Sequence, residues 1–280
     1  MRIAGYQGSR RGGRARSFGR MCVAILIVKL GGSVITDKRR RFSVRRKVLK
    51  RLAGEIYASG VRPVVVHGGG SFGHPLASRY RIAEGYRSRE QLVGASLTHS
   101  AMVRLNEEVV SAFRDRGLPA FPVQPSACMR VSDGRIVSVE LGPIRKIIDL
   151  KMVPVFYGDV VPDTKRGLSI LSGDQITSRL AIELGARRVI MAADVDGIFT
   201  ADPKVHRKAK LLETVTPKTA PRIGRIKDVD VTGGMGNKLA ELIELAKNGV
   251  EGQIVNALKP GLLLEAIRGK RRIGTIVRAG

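Results

Sequence analysis

Two glycine-rich segments hold the residue types best suited to handling phosphate. In KLGGSVITDK, residues 29–38, Gly31 and Gly32 let the chain turn tightly with its N–H groups free, and Ser33 adds a hydroxyl donor. Lys29 and Lys38 frame that nest, so both ammonium groups could reach one transferring phosphoryl group. The pattern differs from a Walker A loop, GxxxxGK[ST], which the sequence lacks. In HGGGSFGH, residues 67–74, Gly68, Gly69 and Gly70 permit close backbone approach to an anion, Ser71, Phe72 and Gly73 lead toward a helix, and His74 ends the cradle. A backbone nest holds phosphate without a histidine, so His74 offers something extra: a side-chain donor for phosphate oxygens. Plain alternatives stand beside both readings. The first segment is also compatible with a simple turn between solvated lysines, and His74, just ahead of Pro75, with a cap or a carbonyl contact.

Acids and further glycines follow later in the chain. Gly158 and Asp159 sit in YGDVVPD, and Asp174 sits in LSILSGDQI at a helix start, where capping is the ordinary role of such an Asp. Two acids at successive strand ends in so basic a chain suggest that one carboxylate holds the catalytic lysines. Asp194 and Asp196 in AADVDGIFTADP suit either a magnesium nucleotide or an Asx turn with Gly197. In VTGGMGNK, residues 231–238, Gly233, Gly234 and Gly236 precede a helix whose first turn carries Lys238. A lysine opposes the helix dipole there unless an anion is bound.

These residues need strand ends to stand on. VAILIV (23–28), PVVV (63–66), MVPVFY (152–157), RVIMAA (188–193), GQIVNA (252–257) and GTIVR (274–278) have the length and β-branched content of buried strands. Helical patterns lie between them: Ile176, Leu180 and Leu184 share a face with Gly185 as C-cap, and Leu239, Leu242, Ile243 and Ala246 share another, closed by Asn248 and Gly249. The alternation predicts an α/β fold, a three-layer αβα sandwich with a mainly parallel central sheet. In such sheets ligands bind beyond the carboxyl ends of the strands, where nearly all the unusual residues fall.

With 280 residues, 43% of them hydrophobic, the chain can build one large core. No run is long and apolar enough for a membrane span, and Cys22 and Cys128 form neither a CxxC pair nor a disulfide framework, which fits a cytoplasmic setting. Lys and Arg number 50 against 24 Asp and Glu, a formal charge of +26 that favours anionic partners. Residues 1–20 are basic and read as a disordered tail, with Met21 as an alternative start. A nucleic-acid binder should show stacking aromatics, yet aromatics make up 4% and Trp is absent, so nucleic acid is not the expected main partner.

KLGGS, HGGGSFGH, YGD, LSGD, DVDGIFTADP and DVTGGMGNK, in this order, resemble the amino acid kinase superfamily, and HGGGSFGH with ILSGD and DVTGGM resembles its archaeal-type isopentenyl phosphate kinases. The resemblance runs from about residue 23 to the C-terminus. It implies one amino acid kinase domain over residues 21–280, an acceptor lobe at about 21–185 and a nucleotide lobe at about 186–280. It further implies ATP with Mg²⁺, isopentenyl phosphate as acceptor, isopentenyl diphosphate as product for isoprenoid synthesis by an alternative mevalonate route, and a homodimer. Carried over by residue, Lys29, Gly31, Gly32, Ser33 and Gly70 would contact the ATP phosphates, and Lys38 the transferring group. Gly69, Gly73, His74 and Gly158 would surround the acceptor, Asp174 would orient Lys29 and Lys38, and Asp194, Gly234 and Lys238 would belong to the nucleotide site. Gln175 departs from relatives that often carry a second acid after SGD. The apolar tail of the acceptor needs a pocket, expected from Val93, Leu97, Met102 and the segment Ile144 to Val155. A fosfomycin-type kinase is the nearest alternative within the fold.

Overall fold

The computed structural model of the chain describes residues 24–201, 206–220 and 234–280; the basic segment 1–20, Met21, Cys22 and the stretch Val231 to Gly233 lie outside them. The first strand, β1 (Leu26–Leu30), leads through a short helix α1 (Gly32–Ile35) to α2 (Arg46–Ala58), β2 (Val64–His67) and α3 (Gly70–Arg79). The long helix α4 (Arg89–Arg114) precedes β3 (Ala120–Pro122), a short α5 (Pro125–Cys128), β4 (Met129–Ser132), β5 (Arg135–Val139) and α6 (Leu141–Asp149). Then come β6 (Val153–Tyr157), β7 (Asp159–Asp163), β8 (Gly167–Leu171), α7 (Gly173–Leu184) and β9 (Arg188–Ala193). The chain closes with β10 (Thr214–Val215), α8 (Gly234–Lys247), β11 (Glu251–Asn256), α9 (Leu262–Ile267) and β12 (Thr275–Val277).

Eight strands form one sheet in the order β10-β12-β11-β9-β1-β2-β6-β3, parallel except where β11 meets β12. Alternation along each strand feeds two cores. Ile27, Val64, Val66 and Phe156 point to the face covered by α6, α7 and α8, whereas Val28, Leu30, Val65 and Tyr157 point to the face covered by α2, α4 and α9. The expected sandwich is therefore present, and β9 lies beside β1, so the sheet runs unbroken across the boundary at residue 185. The first strand starts at Leu26 rather than residue 23 and reaches Leu30, because Leu30 still pairs with His67 and Ala192. Among the described residues no helix is long and apolar enough to cross a membrane.

Periodicity did not announce a second sheet of four short strands, β5-β4-β7-β8, mostly antiparallel. Its two turns are tied together by one carboxylate. Asp163 accepts from the backbone N–H groups of Asp133 at 3.0 Å, Gly134 at 2.7 Å, Lys165 at 2.8 Å and Arg166 at 2.9 Å, and from the Ser169 hydroxyl at 2.6 Å. Burial alone would raise the Asp163 carboxyl, but these donors outweigh it and hold its pKa far below the ordinary carboxylate range. Hydrogen bonds to a charged group contribute about 1.5–3 kcal/mol each at best, so Asp163→Ala should lower stability by about 2 kcal/mol or more in urea unfolding. Because the folded pKa is depressed, this contribution is complete above the unfolded pKa of about 3.9 and declines as pH falls below it. The wild-type and variant stabilities should therefore converge in acid; a gap that persists unchanged there would show that packing, not charge, makes the difference.

Candidate active site

The two glycine segments meet because β1 and β2 are neighbours and both end at the same edge. A Cβ on Gly32 would stand 2.4 Å from the Gly70 nitrogen, and Gly70 itself has φ +47° with Thr36 Oγ1 where its Cβ would be. Backbone thus packs on backbone, which only glycine permits. The contact places the first turns of α1 and α3, with donors that have no intrahelical partner, against one cavity of about 410 Å³. Lys29, Gly31, Gly32, Ser33, Lys38, Gly69, Gly70, Gly73, His74, Gly158, Asp174, Asp194 and Lys238 all line it. Gly234 opens α8.

Charge is arranged in a buried row. Lys29 is two residues beyond Ile27 and so faces the same side of the sheet, toward α7, where Asp174 sits in the first turn. The Lys29 ammonium lies 2.6 Å from Asp174 Oδ1, and the Lys238 ammonium from α8 lies 3.6 Å from Asp174 Oδ2. Burial would raise the Asp174 carboxyl, but Lys29 and then Lys238 outweigh it and hold the group ionised. Lys238 is pushed the other way: burial, then Lys29, lowers its pKa against the pull of Asp174. Asp174 was expected to orient Lys29 and Lys38; it holds Lys29 and Lys238 instead, because α8 packs on α7 and brings Lys238 across. Nor does Asp174 cap its helix, since the Ser172 hydroxyl accepts from the Gln175 N–H. The protein thus supplies the anion that the dipole argument required beside Lys238. Lys38 pairs with Asp194 at 3.7 Å, and both are largely open to solvent at the lip of the cavity.

His74 stands on the second turn of α3 at the cavity mouth. Loss of water around it, then the charges of Lys29, Lys38 and Lys238, lower its pKa, with Asp174 opposing. The cations around it therefore disfavour the imidazolium, and the ring in either form has an N–H to offer an acceptor phosphate. A hydrogen bond to a charged acceptor contributes about 1.5–3 kcal/mol, so His74→Ala should cut kcat/KM for a phosphate acceptor by about 10- to 100-fold. Affinity for ATP should barely move, and His74→Gln should recover part of the loss. A fall in Tm with acceptor kinetics intact would make the histidine structural.

On the far side from Asp194 the cavity becomes apolar. Met102 lines it as expected, but Val93 and Leu97 are exposed at 59% and 45%, while Ile144, Val153 and Val155 are in the cores. The facing residues of α4 are Thr98 and Met102, Thr98 lying one residue round from Leu97, with Val160 and Ile170 opposite. Tyr80 packs so closely on Gly94 that a Cβ there would meet it at 2.2 Å, which fixes the rotation of the helix. Thr98 was missed, although its i, i+4 spacing to Met102 carried the signal. Asp159, the other acid at a strand end, does not hold a lysine: its Oδ1 accepts from His99 Nδ1 at 2.7 Å and from the Val160 N–H at 2.8 Å. Asp196 is engaged by Asn256 at 3.0 Å and Lys259 at 2.6 Å.

The amino acid kinase family model matches residues 24–256. The isopentenyl phosphate kinase of Methanothermobacter thermautotrophicus is 42% identical over 260 residues, spanning 90% of this chain and 98% of its own. That of Thermoplasma acidophilum is 34% identical, spanning 91% and 100%. An X-ray structure of isopentenyl phosphate kinase superposes with a TM-score of 0.78 at 37% identity over 90% of this chain and 99% of its own. The product complex of the Thermoplasma acidophilum enzyme gives 0.75 at 30% identity over 91% and 100%. An acetylglutamate kinase of Rubrobacter xylanophilus stands further off, at 29% identity over 276 residues. The chain is a member of the amino acid kinase family and, within it, of the isopentenyl phosphate kinases.

Proposed function

We propose that the protein transfers the γ-phosphoryl group of ATP to the phosphate of isopentenyl phosphate, giving isopentenyl diphosphate for isoprenoid synthesis. One observation carries the reading: a cavity that joins a glycine cradle and the row Lys29, Asp174, Lys238 to an apolar wall of Met102, Val160 and Ile170. A phosphate monoester with a short hydrocarbon tail matches both halves. The isopentenyl phosphate kinases named above act in the same sense by their names.

In this reaction an acceptor phosphate oxygen forms a bond to the γ-phosphorus as the bond from that phosphorus to the β,γ-bridging oxygen breaks, and ADP leaves. The nucleophile is already an anion, so no general base is required, and catalysis is alignment with charge neutralisation. We place the nucleotide phosphates at Lys29, the first turn of α1, Gly70 and Lys238, with Asp194 and Gly234 toward the nucleotide. Gly69, Gly73, His74 and Gly158 take the acceptor phosphate, and Lys38 swings from the lip onto the transferring group. Lys29 is 4% exposed, so its charge acts with little water screening. Magnesium, when bound, supplies charge neutralisation on the polyphosphate. The ion would be carried by phosphates and water, with Asp194 nearby in the cavity wall.

A homodimer in the cytoplasm is part of the same proposal; exposed Leu92, Val93 and Leu97 on α4 offer it apolar surface. Purified protein, ATP and Mg²⁺ should be offered isopentenyl phosphate, fosfomycin and N-acetylglutamate, with ADP release and product mass as readouts. Preference for isopentenyl phosphate by at least about 100-fold in kcat/KM, about 2.7 kcal/mol, is expected; turnover of another acceptor in its place would overturn the assignment.

A further inference from the structure

His67, at the opposite end of the cradle from His74, has no part in the reaction above, yet it is wholly buried. It ends β2, and alternation turns its ring toward α4, where it stacks on Tyr157 of β6 with ring centroids 5.8 Å apart. Its two ring nitrogens meet different partners. Nδ1 lies 3.2 Å from the carbonyl oxygen of Gly68, and Nε2 lies 3.2 Å from Asn106 Oδ1 on α4. A peptide carbonyl only accepts, so the contact with Gly68 requires the proton on Nδ1. Burial keeps the ring neutral, its pKa pushed down to about 4. Nε2 then carries a lone pair, which Asn106 satisfies once its amide is flipped so that the NH₂ takes the place of Oδ1 at this contact.

The consequence lies in the peptide joining Gly68 to Gly69. In a trans peptide the C=O and N–H point in opposite directions. A Gly68 carbonyl held toward His67 therefore turns the Gly69 N–H away from the ring, toward the cavity that Gly68 and Gly69 both line. The neighbouring donors are spent inside the protein, Gly68 N–H on the Leu30 carbonyl and Ser71 N–H on Thr36 Oγ1, whereas the Gly69 N–H has no such acceptor among the described residues. Glycine on both sides of the peptide removes the Cβ barriers that elsewhere resist a flip, so the direction of this N–H needs an outside hold.

We infer that His67 is a positioning residue: its Nδ1–H, backed by Asn106 at Nε2, locks the Gly68–Gly69 peptide with the N–H facing the acceptor phosphate. The inference rests on the phosphoryl-transfer reading of the cavity, but the direction of one peptide can be tested without it.

Two variants of the full-length chain separate the lock from packing. The amide nitrogen of His67→Asn falls near the position of Nδ1 and can still donate to Gly68, whereas that of His67→Gln falls near Nε2 and cannot. Both place a smaller polar group in the same buried site, so their Tm losses should be similar. Expected is a loss of about tenfold or more in kcat/KM for isopentenyl phosphate in His67→Gln, carried by the acceptor KM, and of no more than about threefold in His67→Asn. KM for ATP should be unmoved in both. Equal kinetic losses that track Tm would overturn the lock. Asn106→Leu, which leaves β2 intact, should lower the same constant by about threefold or more, and no change there would also overturn it. Crystal structures should show the Gly68 carbonyl in place in His67→Asn and turned in His67→Gln. A wild type that ignores isopentenyl phosphate would sink the proposed acceptor alone, and the carbonyl directions would still decide the lock: unmoved in His67→Gln, the inference fails.

Discussion

Asp174→Asn is expected to lower kcat by about 10³-fold, near 4 kcal/mol of lost transition-state stabilisation. Two ammonium groups owe their positions to this one carboxylate, Lys29 at 2.6 Å and Lys238 at 3.6 Å. With the charge removed, the lysines face each other in a space where Lys29 is 4% exposed, and repulsion drives them apart or toward water. Either motion misplaces charge aimed at the phosphates. Breaking a buried pair costs about 3–5 kcal/mol of stability, so Tm falls as well, and the test must separate the two effects. Lys238→Met in the Asp174→Asn background relieves the repulsion and should restore most of the lost Tm without restoring kcat. If kcat returns together with Tm, the carboxylate acts only through folding and the ion row has no direct part in transfer.

How much of this row was legible in the sequence depends on what each residue answers to. The strands that carry the site, such as RVIMAA at β9, are continuous apolar runs whose burial on both faces is visible in composition alone. Their loops could therefore be placed at one sheet edge without coordinates. The partner of a charge is another matter. Asp174 and Asp159 looked equivalent, each an acid following a strand, but one lies against Lys29 and the other against His99 of α4, a helix whose rotation is set by the contact of Tyr80 with Gly94. The same rotation put Thr98 rather than Leu97 in the cavity wall. The four-stranded sheet escaped notice because strands such as MRVS are short, polar on one side and joined by turns whose common anchor, Asp163, is remote in sequence. Several glycines were read as room for a ligand and prove in part to be room for backbone, Gly32 against Gly70 above all.

Lys38→Ala is the second large effect, about 10²-fold in kcat with ATP affinity little changed. Its present partner argues for a mobile role. The ammonium is 3.7 Å from Asp194, and the two side chains are 68% and 38% exposed, so the pair is screened by water and contributes at most about 1 kcal/mol. An interaction that weak cannot hold Lys38 against the charge of a polyphosphate, and the loop Thr36 to Ser43 that carries it has no other tie for this side chain among the described contacts. Lys38 can therefore leave the lip and meet negative charge as it develops on the transferring oxygens. Because the bond is made late, the loss should appear in kcat, whereas a lysine that only attracted ATP would show its loss in the ATP KM. Lys38→Arg keeps the charge but replaces a compact ammonium by a planar fork, and should recover about a tenth of the wild-type rate if charge dominates over shape. Tm separates the remaining possibility. Loss of an exposed pair leaves it nearly unchanged, so a Lys38→Ala protein with wild-type kcat and a lowered Tm would assign this lysine to the fold and leave Lys29 and Lys238 to neutralise the transferred group.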